Sequence, residues 1–372
     1  SELIIYPMFS QWIRSWRDMP LKIFQNVSIF RCETNDTRPL IRNRETIGFI
    51  EGHAALESKK AAMEHLEILW SIYTDLFNEL GIPLKMVEVP NWDRFAGSKL
   101  TIDGYVILPG GRSMELFTSA YLGTTFSKIF DITYLSKEKK NVNAHLLCYG
   151  PSIDRILASI ISQYSDNSGL ILLSNIAPID IIIVPIFNKN NQNQIFNYCE
   201  LIQTTLRNNR FRVEIDTNLE STPGSKFYQA ERFGYPVRIE IGNKELIHQS
   251  VTVCRRDTLA KYTYNFNHEL LEILTALLLD INFSMKRKVT DDFKKHIIDL
   301  TGTTLNSYIA KNELRFDNMY LIGWCGLKKC AEKIETKTNF SLIGFDRDFR
   351  RNKLPCEICN KEGKVSILCK RY

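Results

Sequence analysis

Residues Phe30 to His53 read FRCETNDTRPLIRNRETIGFIEGH. The run that leads into this stretch, Val27 to Glu33, alternates apolar and polar residues with a period of two, which suits a strand. Thr34 to Pro39 is polar and ends in proline, as a turn does. A second run carries Arg42, Arg44 and Glu45. Two antiparallel strands joined by that loop would set Arg31, Glu33 and Arg42 on one surface. Guanidinium groups so placed grip phosphates through paired hydrogen bonds, and a carboxylate among them accepts from an amine. A solvated, charged hairpin is the other reading of the same residues.

The chain around it has 372 residues, enough for two or three domains. Hydrophobic residues make up 44% and charged residues 24%, a balance that suits a globular enzyme. No apolar run reaches the roughly 18 residues that span a bilayer, so no membrane is expected among its partners. No signal peptide opens the chain. The net charge of +6 is compatible with RNA as a partner without requiring it. Four of the nine cysteines form two close pairs, Cys325-x4-Cys330 and Cys356-x2-Cys359. Paired thiolates at such spacings close a tetrahedral metal site in a reducing compartment. Four cysteine ligands leave no open position, so a zinc ion there would be structural. Four free thiols are the alternative.

Residues 55 to 80 carry Leu66, Leu69, Tyr73, Leu76, Phe77 and Leu80 at helical spacing, closed by Gly81 and Pro83. This stripe reads as core. The stretch 188–194, NKNNQNQ, reads as an exposed polar connector. Around it run a strand over 179–186, a helix over 195–207 and a strand over 211–216, followed by a turn, a short helix and the strand 237–241. That alternation predicts a small α/β domain with a mixed sheet.

The spelling FRxE, a loop with TRP, then RxRE and EGH resembles motif 2 of the class II aminoacyl-tRNA synthetases, most closely the prolyl-tRNA synthetases of the archaeal and eukaryotic type. Ser1-Glu2 resembles the end of that family's Thr-Ser-Glu proline-binding loop. FAG, TIDGYVIL and TS…LG..FSK between residues 95 and 128 follow the family's order. Gly-x-Ser-Ile-Asp-Arg, ending at Arg155, resembles motif 3. TPGSKF, PVRIEIG and VTVCRRD resemble its anticodon-binding domain, and the four cysteines with a terminal tyrosine resemble its C-terminal domain.

The resemblance implies a chain of mixed α+β and α/β class with three domains. These are an antiparallel-sheet catalytic domain over 1–176 lacking motif 1, an α/β anticodon-binding domain over 177–287, and a small zinc-binding domain over 288–372. Motif 1 would lie upstream of Ser1, so the sequence is expected to be partial. The implied activity is proline–tRNA ligase, with proline, ATP with Mg²⁺, and tRNA(Pro) as partners, in a cytoplasmic homodimer. The implied catalytic set is Arg31, Glu33, Arg42 and Arg155. Thr46, Glu115 and Thr118 would add contacts to ATP. Glu2, Arg31, His53, Ser119 and Ser152 would hold proline. Phe227, Glu231, Arg238 and Lys244 would read the anticodon, and Cys325, Cys330, Cys356 and Cys359 would bind structural Zn²⁺. Motifs 2 and 3 lie too close together to house an inserted editing domain.

The sequence also departs from the family. The phenylalanine that stacks on adenine is Thr46, and one extra residue precedes Glu51, in the run Ile47-Gly48-Phe49-Ile50. Gln-x-Gly-Thr-Ser-His is replaced by Glu115-Leu-Phe-Thr-Ser-Ala120, and a glutamate expected after the TTT-like strand aligns with Gly104. Thr46 cannot stack on a base, which predicts ATP binding weakened by about tenfold to a hundredfold. Phe49 replaces the missing ring only if a bulge shifts the register. A non-catalytic, synthetase-like protein that binds tRNA or a protein partner is the alternative function.

Overall fold

The computed structural model describes residues 1–34, 36–302, 305–348 and 353–372, and the side chain of Ile47 lies outside the described residues. The chain divides into two compact units. One holds residues 1–78, 82–160 and 292–372, the other residues 79–81 and 161–291.

The first unit is built on the hairpin. Strands β1 (Leu21–Phe30) and β2 (Glu45–Leu56) pair antiparallel from Leu21↔Ala55 to Phe30↔Glu45. The register slips between Val27↔Phe49 and Ile29↔Thr46, two residues along β1 against three along β2. Gly48 takes up the extra residue at φ +80°, a backbone conformation open to glycine and strained for other residues. Three further strands, β3 (Lys85–Glu88), β4 (Leu100–Ile107) and β5 (Ser113–Gly123), pair antiparallel in sequence. The strand His145–Pro151 inserts antiparallel between β2 and β5. Past β3 the same sheet continues into strands Ser341–Asp346, Glu362–Cys369, Met319–Trp324 and Ile297–Asp299. The C-terminal segment thus adds its strands to the sheet that carries the hairpin.

Helices cover the sheet. Helix α1 (Glu2–Trp12) buries Tyr6 and Phe9 in a cluster with Ala55, Ala120, Leu146 and Cys148. Helix α2 (Lys59–Leu80) buries Leu66, Trp70, Tyr73 and Phe77, and the Tyr73 ring lies 4.3 Å from that of Phe117. The helix predicted to begin at residue 55 starts four residues later. Ala55 and Leu56 are spent on pairing β2 with Leu146 and His145, and the Ser58 hydroxyl accepts from the Ala61 amide at 3.1 Å as a cap.

Gly104 lies under the Phe117 ring. A Cβ there would come within 2.1 Å of it, so this packing leaves no room for the glutamate expected at that position.

The second unit holds a five-stranded mixed sheet in the order Val213–Ile215, Ile181–Pro185, Val237–Ile241, Ser250–Arg255, Lys261–Asn265. The first three strands are parallel and the last two join antiparallel. The helix Gln192–Asn208 takes up the last three residues of the polar connector. The helix Pro223–Phe233 is capped by Thr222, has proline in its first turn, and stops at Gly234 in the left-handed region. Among the described residues no helix is long and apolar enough to cross a membrane.

Replacing Gly104 with alanine is expected to cost about 1–3 kcal/mol, the usual penalty for overpacking a filled core. Urea unfolding of the whole chain measures it, and an unchanged midpoint would contradict the packing.

Candidate active site

The segment between β1 and β2, β2 itself, β5 and the helix Ile153–Gln163 enclose a cleft of about 270 Å³ whose lining includes Arg31, Glu33, Arg42, Thr46, Phe49, Glu115, Thr118, Ser152 and Arg155. The hairpin holds its shape beyond the ladder. The Arg31 amide donates to the Arg44 carbonyl at 2.8 Å, and the Arg38 amide to the Arg42 carbonyl at 2.9 Å. Arg155, in the first turn of its helix, is aimed before any ligand arrives. Its Nε donates to the Ile41 carbonyl at 3.2 Å and its Nη1 to the Glu115 carbonyl at 2.9 Å, with the Glu115 carboxylate 3.7 Å away. Arg31 and Arg42 form no ion pair with a carboxylate among the described residues.

The bulge at Gly48 decides which ring faces this cleft. In an unbroken strand, positions 46 and 49 point to opposite faces. With the extra residue absorbed, both Thr46 and Phe49 line the cleft, so an aromatic ring is present where the sequence offered threonine. Asp103 lies beside it and accepts from the Thr118 hydroxyl at 2.6 Å. Burial, then the nearby Glu115 charge, push the Asp103 carboxyl well above its usual range.

A second cluster gathers Glu2, His53 and Cys148, whose donor atoms lie within 4.8 Å of one another. The Cys148 thiol donates to Glu2 Oε1 at 3.0 Å, and burial followed by the Glu2 charge keeps it a thiol. His53 is fully buried, with Nε2 3.5 Å from Glu51 Oε2 and Nδ1 3.4 Å from the Tyr6 hydroxyl. Burial would raise the Glu51 pKa, but hydrogen bonds from His53, Ser1 and Gln25 hold it at about 2. Glu2 and Glu51, bonded to no arginine or lysine among the described residues, suit a small cation such as an ammonium group.

Ser119 is not part of either cluster. It is fully buried, donates to the Ile102 carbonyl at 3.0 Å and accepts from Trp70 Nε1 at 2.8 Å. The period of two turns Thr118 toward the cleft and Ser119 into the core under α2.

In the second unit Phe227, Glu231 and Arg238 come together. The Arg238 guanidinium lies 4.4 Å from the Phe227 ring centroid and pairs with Glu231 at 2.9 Å and Glu240 at 3.0 Å. Lys261 joins them, 5.0 Å from the same ring and 2.8 Å from Glu240. Arg238 is buried; burial opposes its charge, and the hydrogen bond to Glu231 heads the contacts that outweigh it. Lys244 stands exposed on the helix Asn243–His248 and bonds to none of these residues. Sequence reasoning missed Glu240 and Lys261. The alternation in VRIEI puts Arg238 and Glu240 on one face and would have found the first. Lys261 is brought in by strand pairing and left no local signal.

Cys325, Cys330, Cys356 and Cys359 converge, with their sulfurs within 4.8 Å of one another. Four Zn–S bonds of about 2.3 Å set tetrahedral sulfurs about 3.8 Å apart, and Cys359 and Cys325 stand 3.7 Å apart. Burial raises the Cys356 thiol, but backbone amides of Ile358, Cys359 and Cys325 outweigh it and bring it down to about 7. The donor set fits a structural metal ion.

The family model for the class II tRNA synthetase core domain (G, H, P, S and T) matches residues 1–164, and that for the anticodon binding domain matches residues 180–276. The proline–tRNA ligase of Methanopyrus kandleri is 35% identical over 378 residues, covering 100% of this chain and 76% of the relative. That of Thermoplasma volcanium is 36% identical over 376 residues, covering 100% and 77%. The crystal structure of prolyl-tRNA synthetase from Cryptosporidium parvum complexed with L-proline and AMP aligns with a TM-score of 0.91 at 28% identity, covering 100% of this chain and 77% of that one.

Arg238→Ala leaves Glu231 without its cation and Glu240 with Lys261 alone, and should destabilise the chain by about 3–5 kcal/mol. Lys244→Ala should change stability by no more than about 0.5 kcal/mol. Denaturant titration of both variants checks the contrast.

Proposed function

This chain belongs to the prolyl-tRNA synthetases of class II, and from that premise we propose that it activates proline with ATP and transfers it to tRNA(Pro). The observation that carries the proposal is the cleft itself, where three arginines, Glu33 and the Phe49 ring line one surface. In this reading a proline carboxylate oxygen attacks the α-phosphorus in line, and pyrophosphate leaves. The protein contributes position and charge, and no side chain acts as nucleophile.

Arg31 bridges the α-phosphate and the carboxylate, where its free guanidinium balances charge on both. Arg42 and Arg155 grip the outer phosphates, and Glu33 accepts from the adenine amine. Mg²⁺ carried in with ATP supplies further charge neutralisation. Glu2 takes the proline ammonium, supported by the anionic cluster it forms with Glu51 and the Cys148 thiol. Thr118, Glu115 and Ser152 complete the cleft wall. Ser119 is left out of the substrate contacts, and His53 acts through Glu51. The missing ring at Thr46 argued for a non-catalytic protein; Phe49 in the same cleft supports the enzyme reading instead.

The anticodon reading rests on the Phe227 ring with Glu231 and Arg238 beside it, an aromatic next to charged groups that suits an unstacked base. The C-terminal cysteines hold structural Zn²⁺ in this proposal. Pairing of two chains is part of it, supported by the exposed Phe24 and Phe30 on β1, which lies at the edge of the sheet. A cytoplasmic location accords with nine free thiols.

Exchange of labelled pyrophosphate into ATP, dependent on proline, tests the activation step. No exchange at saturating substrates would sink the enzyme reading. Phe49→Ala should weaken ATP binding by about tenfold or more, because base stacking contributes roughly 1–3 kcal/mol. Thr46→Phe should change little, and the reverse pattern would show that Phe49 is not the platform.

Lys244→Ala should weaken tRNA binding with exchange retained, and tRNA binding should fall as salt rises. Metal analysis of chelator-free protein should find one zinc per chain. Cys356→Ser should lose that zinc and lower the melting temperature. Protein with no zinc would refute the metal assignment.

A further inference from the structure

The space around the phosphate-gripping residues does not end at the cleft. Ile41, Arg42, Glu115 and Arg155 line both the cleft and a larger cavity of about 630 Å³ beyond it. The side chains of that cavity's wall carry five arginines against two carboxylates, Asp36 and Glu115. Arg155 already faces Glu115, and Arg371 is paired with Asp93 at 3.0 Å. Arg38, Arg42 and Arg112 form no ion pair with a carboxylate among the described residues.

Arg38 and Arg112 both lie against the Tyr372 ring, 5.6 and 5.9 Å from its centroid. That ring is fixed by its backbone. The Tyr372 amide donates to the Ser113 carbonyl at 3.2 Å, and the Ser113 amide to the Lys370 carbonyl at 2.6 Å. Arg112 also donates to the Arg371 carbonyl at 3.4 Å. Like charges gathered on one ring repel. The ring's electron-rich face offsets part of that repulsion, and an anion held between the guanidinium groups would offset the rest. The triphosphate of ATP is already served by Arg31, Arg42 and Arg155, so Arg38 and Arg112 have no task in the reading above.

We propose that this cavity is a pyrophosphate subsite, in which Arg38 and Arg112, positioned by the Tyr372 ring, receive the leaving group as it moves past Arg42 and Arg155. The inference rests on the proposed activation of proline by ATP. As a proline carboxylate oxygen bonds to the α-phosphorus, the bond from that phosphorus to the bridging oxygen breaks. Pyrophosphate departs with the electron pair. The product carries more negative charge than the same two phosphates had within ATP. Glu2 and Glu51 line neither cavity, whereas unpaired cations line this one, so the field favours departure in this direction.

The test uses the whole chain with Arg112→Gln and, separately, Tyr372→Ala. In proline-dependent exchange, both variants should raise the KM for pyrophosphate tenfold or more and move the KM for ATP less than twofold. An unchanged pyrophosphate KM overturns the proposal. So does an equal rise in both constants, which would assign the cavity to ATP's own phosphates. Direct calorimetric titration with inorganic pyrophosphate separates this inference from the activity it rests on. If wild type shows no exchange yet binds pyrophosphate, and Arg112→Gln weakens that binding tenfold, the anion subsite stands and the proline-activation reading falls. If wild type fails to bind pyrophosphate at millimolar concentration, the subsite is refuted.

Discussion

Strand alternation is the constraint on which the site depends. Along β1, β2, β5 and the strand His145–Pro151, each side chain faces either the cleft side or the helix α2 side, and a slip of one residue exchanges the two sets. Thr118 reaches the cleft and Asp103, while Ser119 bonds to Trp70 under α2. The sheet keeps this order except at a few register shifts; that between Gly104 and Tyr105 falls opposite the cleft residues Phe117 and Glu115, and another lies between Val27 and Ile29. There Gly48 absorbs a residue, Phe49 turns to the side of Thr46, and pairing downstream resumes so that His53 still opposes Cys148. The insertion is thus confined to the rim of the cleft, and the deeper cluster of Glu2, His53 and Cys148 is unaffected by it.

Charge is distributed along the site with opposite signs at its ends. The cluster near Glu2 holds two carboxylates and a thiol that burial and neighbouring charge keep protonated. The cleft and the cavity beyond it hold arginines, of which Arg155 is tethered to the Ile41 and Glu115 carbonyls. Such preset groups lose little further freedom on meeting a ligand, and their field acts without reorganisation. This gradient is complementary to a zwitterionic amino acid whose ammonium lies at the acidic end and a polyphosphate at the basic end, as the proposed activation requires. Their mutual orientation then follows from electrostatics before close contacts form.

Much of this was legible in the sequence because it is local. Arg31, Glu33 and Arg42 stand close together in sequence and line one cleft as expected, although β1 ends at Phe30 and β2 begins at Glu45, so all three lie in the loop of the hairpin and not on the strands predicted to carry them. The cysteine pairs are close in sequence, and each brings two sulfurs to the cluster. The α/β alternation after residue 179 gave the mixed sheet of the second unit. What depended on long-range pairing was not legible. Lys261 reaches Phe227 and Glu240 only because its strand adds to the edge of the sheet. At Gly104, where the family spelling has a carboxylate, the Phe117 ring fills the space. Ser119 matched a family spelling, but a neighbour in the sequence, Thr118, has the exposed side of the strand.

The same distinction explains why a substituted motif need not mean a lost site. A motif records side chains at fixed spacing, whereas a cleft records which atoms occupy a volume. Thr46 breaks the spelling, yet the cleft that Arg31 and Arg155 line still contains an aromatic ring, delivered three residues later by way of a glycine that tolerates positive φ. Insertion and substitution are coupled here. Threonine at 46 in an unbroken strand would turn Phe49 to the other face and leave no ring from β2 on the cleft. Together the insertion and the substitution leave both the arginines and a ring in place, because the backbone irregularity is absorbed at a single residue whose conformational cost is small.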